Sequence, residues 1–101
     1  MLLFSLLTAA APAGVLLKAH YRQVPGTDPE YAQGAVEKND LAHREIVTMT
    51  WLILVDEPGD PDDWRNRLQS VTDPKHGSWS VERASAEEVE GVRSGRITLQ
   101  K

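Results

Sequence analysis

The residue types that most often carry chemistry are few in this chain and lie far apart. Its three histidines, His20, His43 and His76, are too widely separated to predict a metal site, and each is expected at the surface or in a turn. None of the serines has the sequence context of an activated nucleophile: Ser5, Ser70, Ser78, Ser80, Ser85 and Ser94. The sequence therefore predicts no recognisable catalytic set, no metal site and no cofactor.

A group of aspartates, Asp60, Asp62 and Asp63, is the closest the chain comes to a cation-binding pattern. Their spacing does not match an EF-hand loop. Asp60 stands immediately before Pro61, which is the arrangement of a helix N-cap followed by proline at the first helical position. The next two aspartates then place negative charge at the positive end of the helix. We interpret the group as helix capping.

The three tryptophans have a more open interpretation. Trp51 and Trp64 are expected in the core, where a strand face meets a helix. Trp79 lies in a polar turn, and two alternatives stand: an exposed anchor for a partner protein, or a residue that closes the small core. The candidate partner-contact residues are Trp79, His76, Asp62, Asp63 and Glu87.

The stretch from Ile46 to Val55 predicts a central strand that organises the rest of the chain. β-branched and aromatic residues dominate it, and side chains alternate between two faces of a strand. One face is wholly apolar and is expected to form core: Val47, Met49, Trp51, Ile53 and Val55. The other face carries two threonines among apolar residues and is expected to be partly covered.

A helix follows the turn at 56–59, which contains proline and glycine. Trp64, Leu68 and Val71 share one face of this helix, which should stop at or just before Asp73 because Pro74 disfavours helical geometry there. A strand, a turn and a helix in this order indicate an α+β or α/β layer unit.

The C-terminal third contains a second, shorter helix. Trp79–Val81 is typical of a brief strand, and Ser85 with Glu88 forms the pattern of a capping box. Gly95 is expected just beyond the helix end. Residues 96–101 suit either a final strand or the first turn of another element.

The N-terminal part is interpreted in two pieces. Residues 1–13 resemble a signal peptide with a small-residue cleavage pattern at Ala11–Ala13; the alternatives are a packed apolar helix and a membrane span. In residues 14–40, Val15–Val24 predicts an edge strand. The polar stretch after it, from Pro25 to Asp40, predicts a linker or long loop. The small α+β domain is then expected over residues 41–101.

Composition narrows the class of protein. The 101 residues are 41% hydrophobic and 26% charged, which fits one small domain with a modest core. There is no cysteine, so no disulfide can stabilise it. A net charge of −4 argues against nucleic acid as the main partner. Membrane association is also disfavoured, because Pro12 and Gly14 interrupt the apolar N-terminal run.

The segments Leu68–Pro74 and Ser85–Val89, with Gly77 between them, together resemble the activation propeptides of the sedolisins, the serine-carboxyl peptidases that include the tripeptidyl-peptidases. The similarity covers residues 40–101. It departs from the family at residues 75–80, where the usual Tyr-Gly turn is missing. The resemblance implies a ferredoxin-like, split β-α-β topology. The predicted fold is therefore α+β, either half of such a unit or a small two-layer α/β sandwich.

This resemblance implies a function exerted on another protein. The expected protein is the propeptide portion of a secreted sedolisin-type peptidase, which assists folding of the catalytic domain and inhibits it until acid releases it. Its location would be secreted or in an acidic lumenal compartment if residues 1–13 are a signal peptide, and cytoplasmic otherwise. The alternative is a free-standing small α+β module for protein interaction or assembly.

Overall fold

The computed structural model describes residues 14–101, and the predicted leader at 1–13 lies outside them. Four strands and three helices follow in the order β1 (Val15–Gln23), α1 (Glu30–Lys38), β2 (Ala42–Val47), β3 (Thr50–Val55), α2 (Pro61–Ser70), β4 (Gly77–Arg83) and α3 (Ala86–Arg93). The strands form one antiparallel sheet in the order β2-β3-β1-β4. This is a small α+β, two-layer sandwich, as predicted. Its first six elements make up a complete β-α-β-β-α-β unit rather than half of one.

One side of the sheet, called here the first face, forms the core with α1 and α2. Alternate residues of the strands meet apolar side chains of both helices, as the strand period of two requires. The buried set is Leu17, Ala19, Tyr21, Ala32, Ala35, Val36, Trp51, Ile53, Val55, Trp64, Leu68 and Trp79. The predicted burial of Trp51 and Trp64 is confirmed.

The opposite side, the second face, is partly covered by residues 84–101, called here the C-terminal strap. The strap begins with α3, whose Val89 and Val92 lie across a cavity from Leu16 and Leu54. It then reaches the far edge of the sheet, where Arg44 donates to the Thr98 carbonyl at 3.2 Å. The strap therefore runs across the second face from β4 to β2.

At each edge strand of the sheet, a glutamine forms hydrogen bonds with backbone groups of the strand. On β2, the backbone N–H of His43 donates to the Gln100 carbonyl at 2.7 Å, and the Gln100 N–H donates back at 2.8 Å. On β4, the side-chain amide of Gln69 accepts from the Trp79 N–H at 3.1 Å and donates to the Gly77 carbonyl at 3.3 Å. Both contacts satisfy backbone groups that an edge otherwise leaves open to other strands.

The predicted strand from Ile46 to Val55 is wrong in its first part. Val47 is the last residue of β2 and pairs with Thr50 of β3 across a two-residue hairpin loop. Met49 adopts a φ of 59° in that loop, and its N–H donates to the Glu45 carboxylate at 2.9 Å. A side chain therefore stabilises a turn that no glycine, asparagine or proline marks in the sequence.

The N-terminal expectations also need correction. Val15–Val24 is not an edge strand, because β1 lies between β3 and β4 in the centre of the sheet. The expected linker contains α1, whose thin apolar stripe consists of Ala32, Ala35 and Val36. Its first N–H, at Glu30, donates to the Asp28 carboxylate at 2.9 Å. Alanines supply enough apolar surface for this helix to pack on the sheet.

The two predicted helix starts are confirmed. The Asp60 carboxylate accepts from the Asp62 N–H at 3.1 Å, with Pro61 at the first helical position. At α3, the Ser85 hydroxyl accepts from the Glu88 N–H at 3.1 Å, and the Glu88 carboxylate accepts from the Ser85 N–H at 2.8 Å. This reciprocal capping box fixes the direction in which the strap leaves β4.

Candidate functional site

The part of the second face that the strap leaves uncovered is the first candidate site. We call it the open half; it comprises His20, Arg22, Val47, Thr50, Ser78 and Ser80. A concavity of about 500 Å³, lined by residues of all four strands, lies around His20, Val47, Thr50 and Ser80, whereas Arg22 and Ser78 line a separate hollow next to it. Val47 is 63% exposed within it. An exposed, mostly polar hollow in the middle of a sheet is available for contact with another molecule.

A row of basic side chains crosses this face along β1. Lys18, His20 and Arg22 occupy alternate positions and therefore point to the same side of the sheet. The strand register places Thr50 and Ser80 on either side of His20. The His20 Nδ1 atom lies 2.9 Å from the Thr50 hydroxyl. The row thus combines cationic groups with neighbouring hydroxyls, the groups that bind carboxylates in proteins.

The strap already occupies the Lys18 end of this row. Lys18 Nζ donates to the Glu88 carboxylate at 3.1 Å and lies 3.8 Å from the carboxylate of Glu82. Burial by itself would raise the pKa of Glu88, but hydrogen bonds from Ser85 and Lys18, together with the Lys18 charge, lower it below its ordinary value. Glu88 is therefore held as a carboxylate against the sheet.

The Arg22 end of the row is free of such pairing within residues 14–101. No carboxylate among them lies within salt-bridge distance of the Arg22 guanidinium, which is exposed. A guanidinium carries five N–H donors in a planar fork and binds a carboxylate through two parallel hydrogen bonds. The open half consequently keeps an unneutralised cation although the chain as a whole has a net charge of −4.

A second concavity, of about 530 Å³, lies at the end of the sheet between the loops that follow α1 and β3. Its acidic lining comprises Asp40, Asp56, Glu57, Asp60 and Asp63. Its two cations are already engaged: Arg67 pairs with Asp63 at 3.1 Å, and Lys101 lies 3.8 Å from Asp40. Within the part of the chain that the structure describes, no group of three His, Cys, Asp or Glu side chains is placed to hold a metal ion.

A buried aromatic cluster lies beneath the first face. Trp79 stacks obliquely on Tyr21 and on Trp51, with ring centroids 5.0 Å and 5.6 Å apart. Trp51 donates its indole N–H to the Gln33 side chain at 3.1 Å. The Tyr21 hydroxyl is buried and has no hydrogen-bond partner among the described residues. Burial raises the pKa of Tyr21, and the nearby Asp73 carboxylate raises it further.

Trp79 is therefore not the exposed anchor that was one of its two predicted roles. Its side chain is only 4% exposed, and its indole N–H donates to the Thr72 hydroxyl at 3.1 Å. The other alternative, closure of the core, is the one found. Strand β4 directs its odd-numbered residues toward the helices. The residues next to Trp79 in the sequence are polar, so they give no indication that Trp79 is buried.

The remaining predicted contact residues do not form one site. His76 stacks on Tyr31 in the turn before β4, with ring centroids 4.0 Å apart. Asp62 and Asp63 lie in the first turn of α2, and Glu87 lies in the first turn of α3. Sequence reasoning missed the open half, although the alternation of Lys18, His20 and Arg22 with apolar residues was a signal for it.

The fold and this site together define a small α+β sandwich whose sheet has one closed face and one half-open face. No protein-family model matches the chain, and no curated protein is significantly similar to it in sequence. Within residues 14–101, no helix has both the length and the apolar character needed to cross a membrane.

Proposed function

We propose that this chain is a binding domain for another protein and that the open half of the second face is its contact surface. The observation that carries the proposal is the asymmetry of that face. On the strap side of that face the apolar residues Leu16 and Leu52 are 8% and 0% exposed, whereas His20, Val47 and Ser80 stay exposed. A sheet surface that is hollow, polar and rimmed by one apolar side chain suits a specific but reversible contact.

Site-specific photo-crosslinking tests this proposal. A photoreactive amino acid is placed at Ser80, in the open half, or at Asn66, an exposed position of α2 that serves as the matched control. In the native organism, the Ser80 variant is expected to form a discrete adduct with a protein, and the Asn66 variant is not. Equal adducts at both positions, or none at either, contradict the proposal.

A more specific form of the proposal is the propeptide of a sedolisin-type peptidase. Its support is the complete β-α-β-β-α-β unit, which is the topology that the resemblance implies. In this form the partner is the catalytic domain, and the domain acts as its folding assistant and inhibitor in a secreted or acidic compartment. Carboxylates whose pKa is lowered in the complex contribute affinity above their free pKa of about 4, and the affinity is lost as pH falls through the bound value.

An inhibition titration tests the propeptide form separately. The purified chain is added to a sedolisin-type peptidase at several pH values, and inhibition is expected to weaken progressively as the pH falls below about 5. Ser80→Glu is the contact variant and Asn66→Glu is its matched control. Absence of inhibition at every pH by a chain that circular dichroism shows to be folded excludes the propeptide and leaves the broader binding function.

A further inference from the structure

We propose that the open half binds an acidic peptide segment of the partner protein, with carboxylates of that segment bound by Arg22 and by the groups around His20. This inference rests on the proposed function and adds the chemistry of the partner to it. It follows from how the protein covers the other half of the same face, from the charge of the uncovered row, and from the hydroxyls beside it.

The covered half shows what kind of group this row of side chains accepts. Glu88 of the strap sets its carboxylate against Lys18, the first member of the row, at 3.1 Å. Alternate residues of a strand lie about 7 Å apart, so His20 and Arg22 repeat the Lys18 position twice more along β1. A peptide segment whose acidic residues have the same spacing as His20 and Arg22 makes with them the type of contact that Glu88 makes with Lys18.

The hydroxyls complete the site. Ser80 lies beside His20 and Ser78 beside Arg22 in the register with β4, and both serines are exposed. Thr50 engages Nδ1 of His20, which leaves Nε2 as the nitrogen that can face a partner. A carboxylate has two oxygens that accept several hydrogen bonds, so a guanidinium with an adjacent hydroxyl satisfies it better than a cation alone.

The acidic side chains that face the row of Lys18, His20 and Arg22 lie at its Lys18 end, so they do not neutralise the charge of Arg22. Glu82 of β4 and Glu88 of α3 both contact Lys18. β3 contributes Thr50 and β2 contributes Val47 to the surface around His20. The cationic part of the open half is therefore narrow. It suits an acidic peptide rather than a nucleic acid, which needs a broad basic surface that a chain of net charge −4 lacks.

Selection from a library of random peptides displayed on phage tests the inference with the purified chain as bait. Enriched peptides are expected to carry Asp or Glu at repeated intervals, and replacing these with Asn or Gln in synthetic copies should abolish binding. Affinity is measured by fluorescence polarisation of the labelled synthetic peptides. It should fall as salt is added, because exposed charges are screened.

Variants of the chain locate the binding surface. Arg22→Gln and Ser80→Glu should each weaken binding of the selected peptides about tenfold, equivalent to about 1.4 kcal/mol. The matched controls are Arg65→Gln and Asn66→Glu on α2, which should change affinity by less than about twofold, well under 1 kcal/mol. Circular dichroism and thermal unfolding confirm that all four variants fold like the parent chain.

The outcomes separate this inference from the proposed function. Enriched peptides without acidic residues whose binding is still lost in Ser80→Glu overturn the inference and retain the open half as a binding surface. Acidic peptides that bind Arg22→Gln and Ser80→Glu unchanged also overturn it. A selection without enrichment overturns it as well, and the Ser80 crosslinking experiment then decides whether the proposed function stands.

Discussion

The two faces of the sheet differ although the same strands build them. On β1, Leu17, Ala19 and Tyr21 point to the first face and are at most 1% exposed, whereas the polar side chains of Lys18 and His20 between them point to the second face. The first face is closed by two helices, which pack over a cluster of aromatic rings from β1, β3 and β4. The second is only partly closed, by a strap of one short helix and an irregular tail.

Under the proposed function, the two faces have separate tasks. The first face holds most of the apolar area that is removed from water, and that burial is the main favourable contribution to folding. The second face keeps only a small apolar patch under the strap and leaves polar groups accessible. Stability is therefore expected to depend on the first face and binding on the second, and the two can be perturbed independently.

The largest expected effect is the loss of Trp51, which is 2% exposed at the centre of the first face. Trp51→Ala should lower the free energy of unfolding by about 3–5 kcal/mol. Since a small domain has about 5–15 kcal/mol in total, the variant should lose a large fraction of its stability. Denaturant titration followed by circular dichroism measures this. Val47→Ala, on the open half, is the control and should change stability by less than about 0.5 kcal/mol. A Trp51 effect below about 1 kcal/mol would contradict the assignment of stability to the first face.

A matched pair of leucines sharpens the comparison between the faces. Leu17 and Leu52 are both 0% exposed, the first against the helices and the second under the strap. Leu17→Ala should lower the free energy of unfolding by about 3–4 kcal/mol and Leu52→Ala by about 2–3, because the strap can move into the gap more readily than two packed helices can. The unfolding midpoints of the two variants compare them directly. Equal losses would show that the strap packs as tightly as the helical layer.

The sequence was sufficient for the parts of the fold that local chemistry determines. Asp60 with Pro61, and Ser85 with Glu88, are short-range patterns whose hydrogen bonds form within one helical turn. The hairpin at Thr48 and Met49 was missed, because the Glu45 carboxylate stabilises it in place of a residue that favours turns. The central position of β1 was also missed, since strand order depends on pairings between distant segments.

The candidate site was harder to predict for the same reason. The alternation of Lys18, His20 and Arg22 is visible in the sequence, but whether these side chains are covered depends on the path of the strap. That path is set by long-range contacts, such as the backbone pairing of Gln100 with His43. Trp79 is the opposite case: its side chain is buried, although the residues next to it in the sequence are polar and suggest exposure.

A smaller effect is expected from the ion pair that holds the strap on the second face. Glu88→Gln keeps the capping box, because glutamine can also accept from the Ser85 N–H, but it removes the charge that faces Lys18. The half-buried pair should contribute about 1 kcal/mol to stability near neutral pH. Glu87→Gln is the matched control, since Glu87 is exposed and lies in the same helical turn. Glu87→Gln should show only the smaller loss of stability that both variants share, which comes from removing a negative charge from the first turn of the helix.

The pH dependence of the same variant follows from the lowered pKa of Glu88. A carboxylate with a lowered folded-state pKa stabilises the native state above its unfolded value, about 4.3, and this stabilisation is lost as pH falls through the folded-state value. The protection of α3 against hydrogen exchange in the parent chain, taken relative to the intrinsic exchange rate at each pH, should therefore fall below about pH 4.3, with less change in Glu88→Gln. Identical pH profiles for the two chains would show that the strap is held by its apolar contacts alone.

The smallest expected effect is a gain, at the buried hydroxyl of Tyr21. Because no described residue bonds this hydroxyl, Tyr21→Phe removes a desolvated polar atom without removing a hydrogen bond and should raise stability by up to about 1 kcal/mol. The raised pKa of Tyr21 makes the native state favour the protonated phenol, so its contribution is present below about pH 10 and is lost as pH rises further. Tyr21→Phe should accordingly retain more of its stability than the parent chain in alkaline solution.

Thermal unfolding at neutral and alkaline pH measures both parts of this expectation. Tyr31→Phe is the control for loss of a hydroxyl, since Tyr31 is 45% exposed on α1 and should change stability by less than about 0.5 kcal/mol. If Tyr21→Phe were instead destabilised by more than about 1 kcal/mol, the hydroxyl would have a partner such as an ordered water. The first face would then contain a further polar contact besides those of Trp79 with Thr72 and Trp51 with Gln33, and the division between a mainly apolar face for stability and a polar face for binding would be less complete.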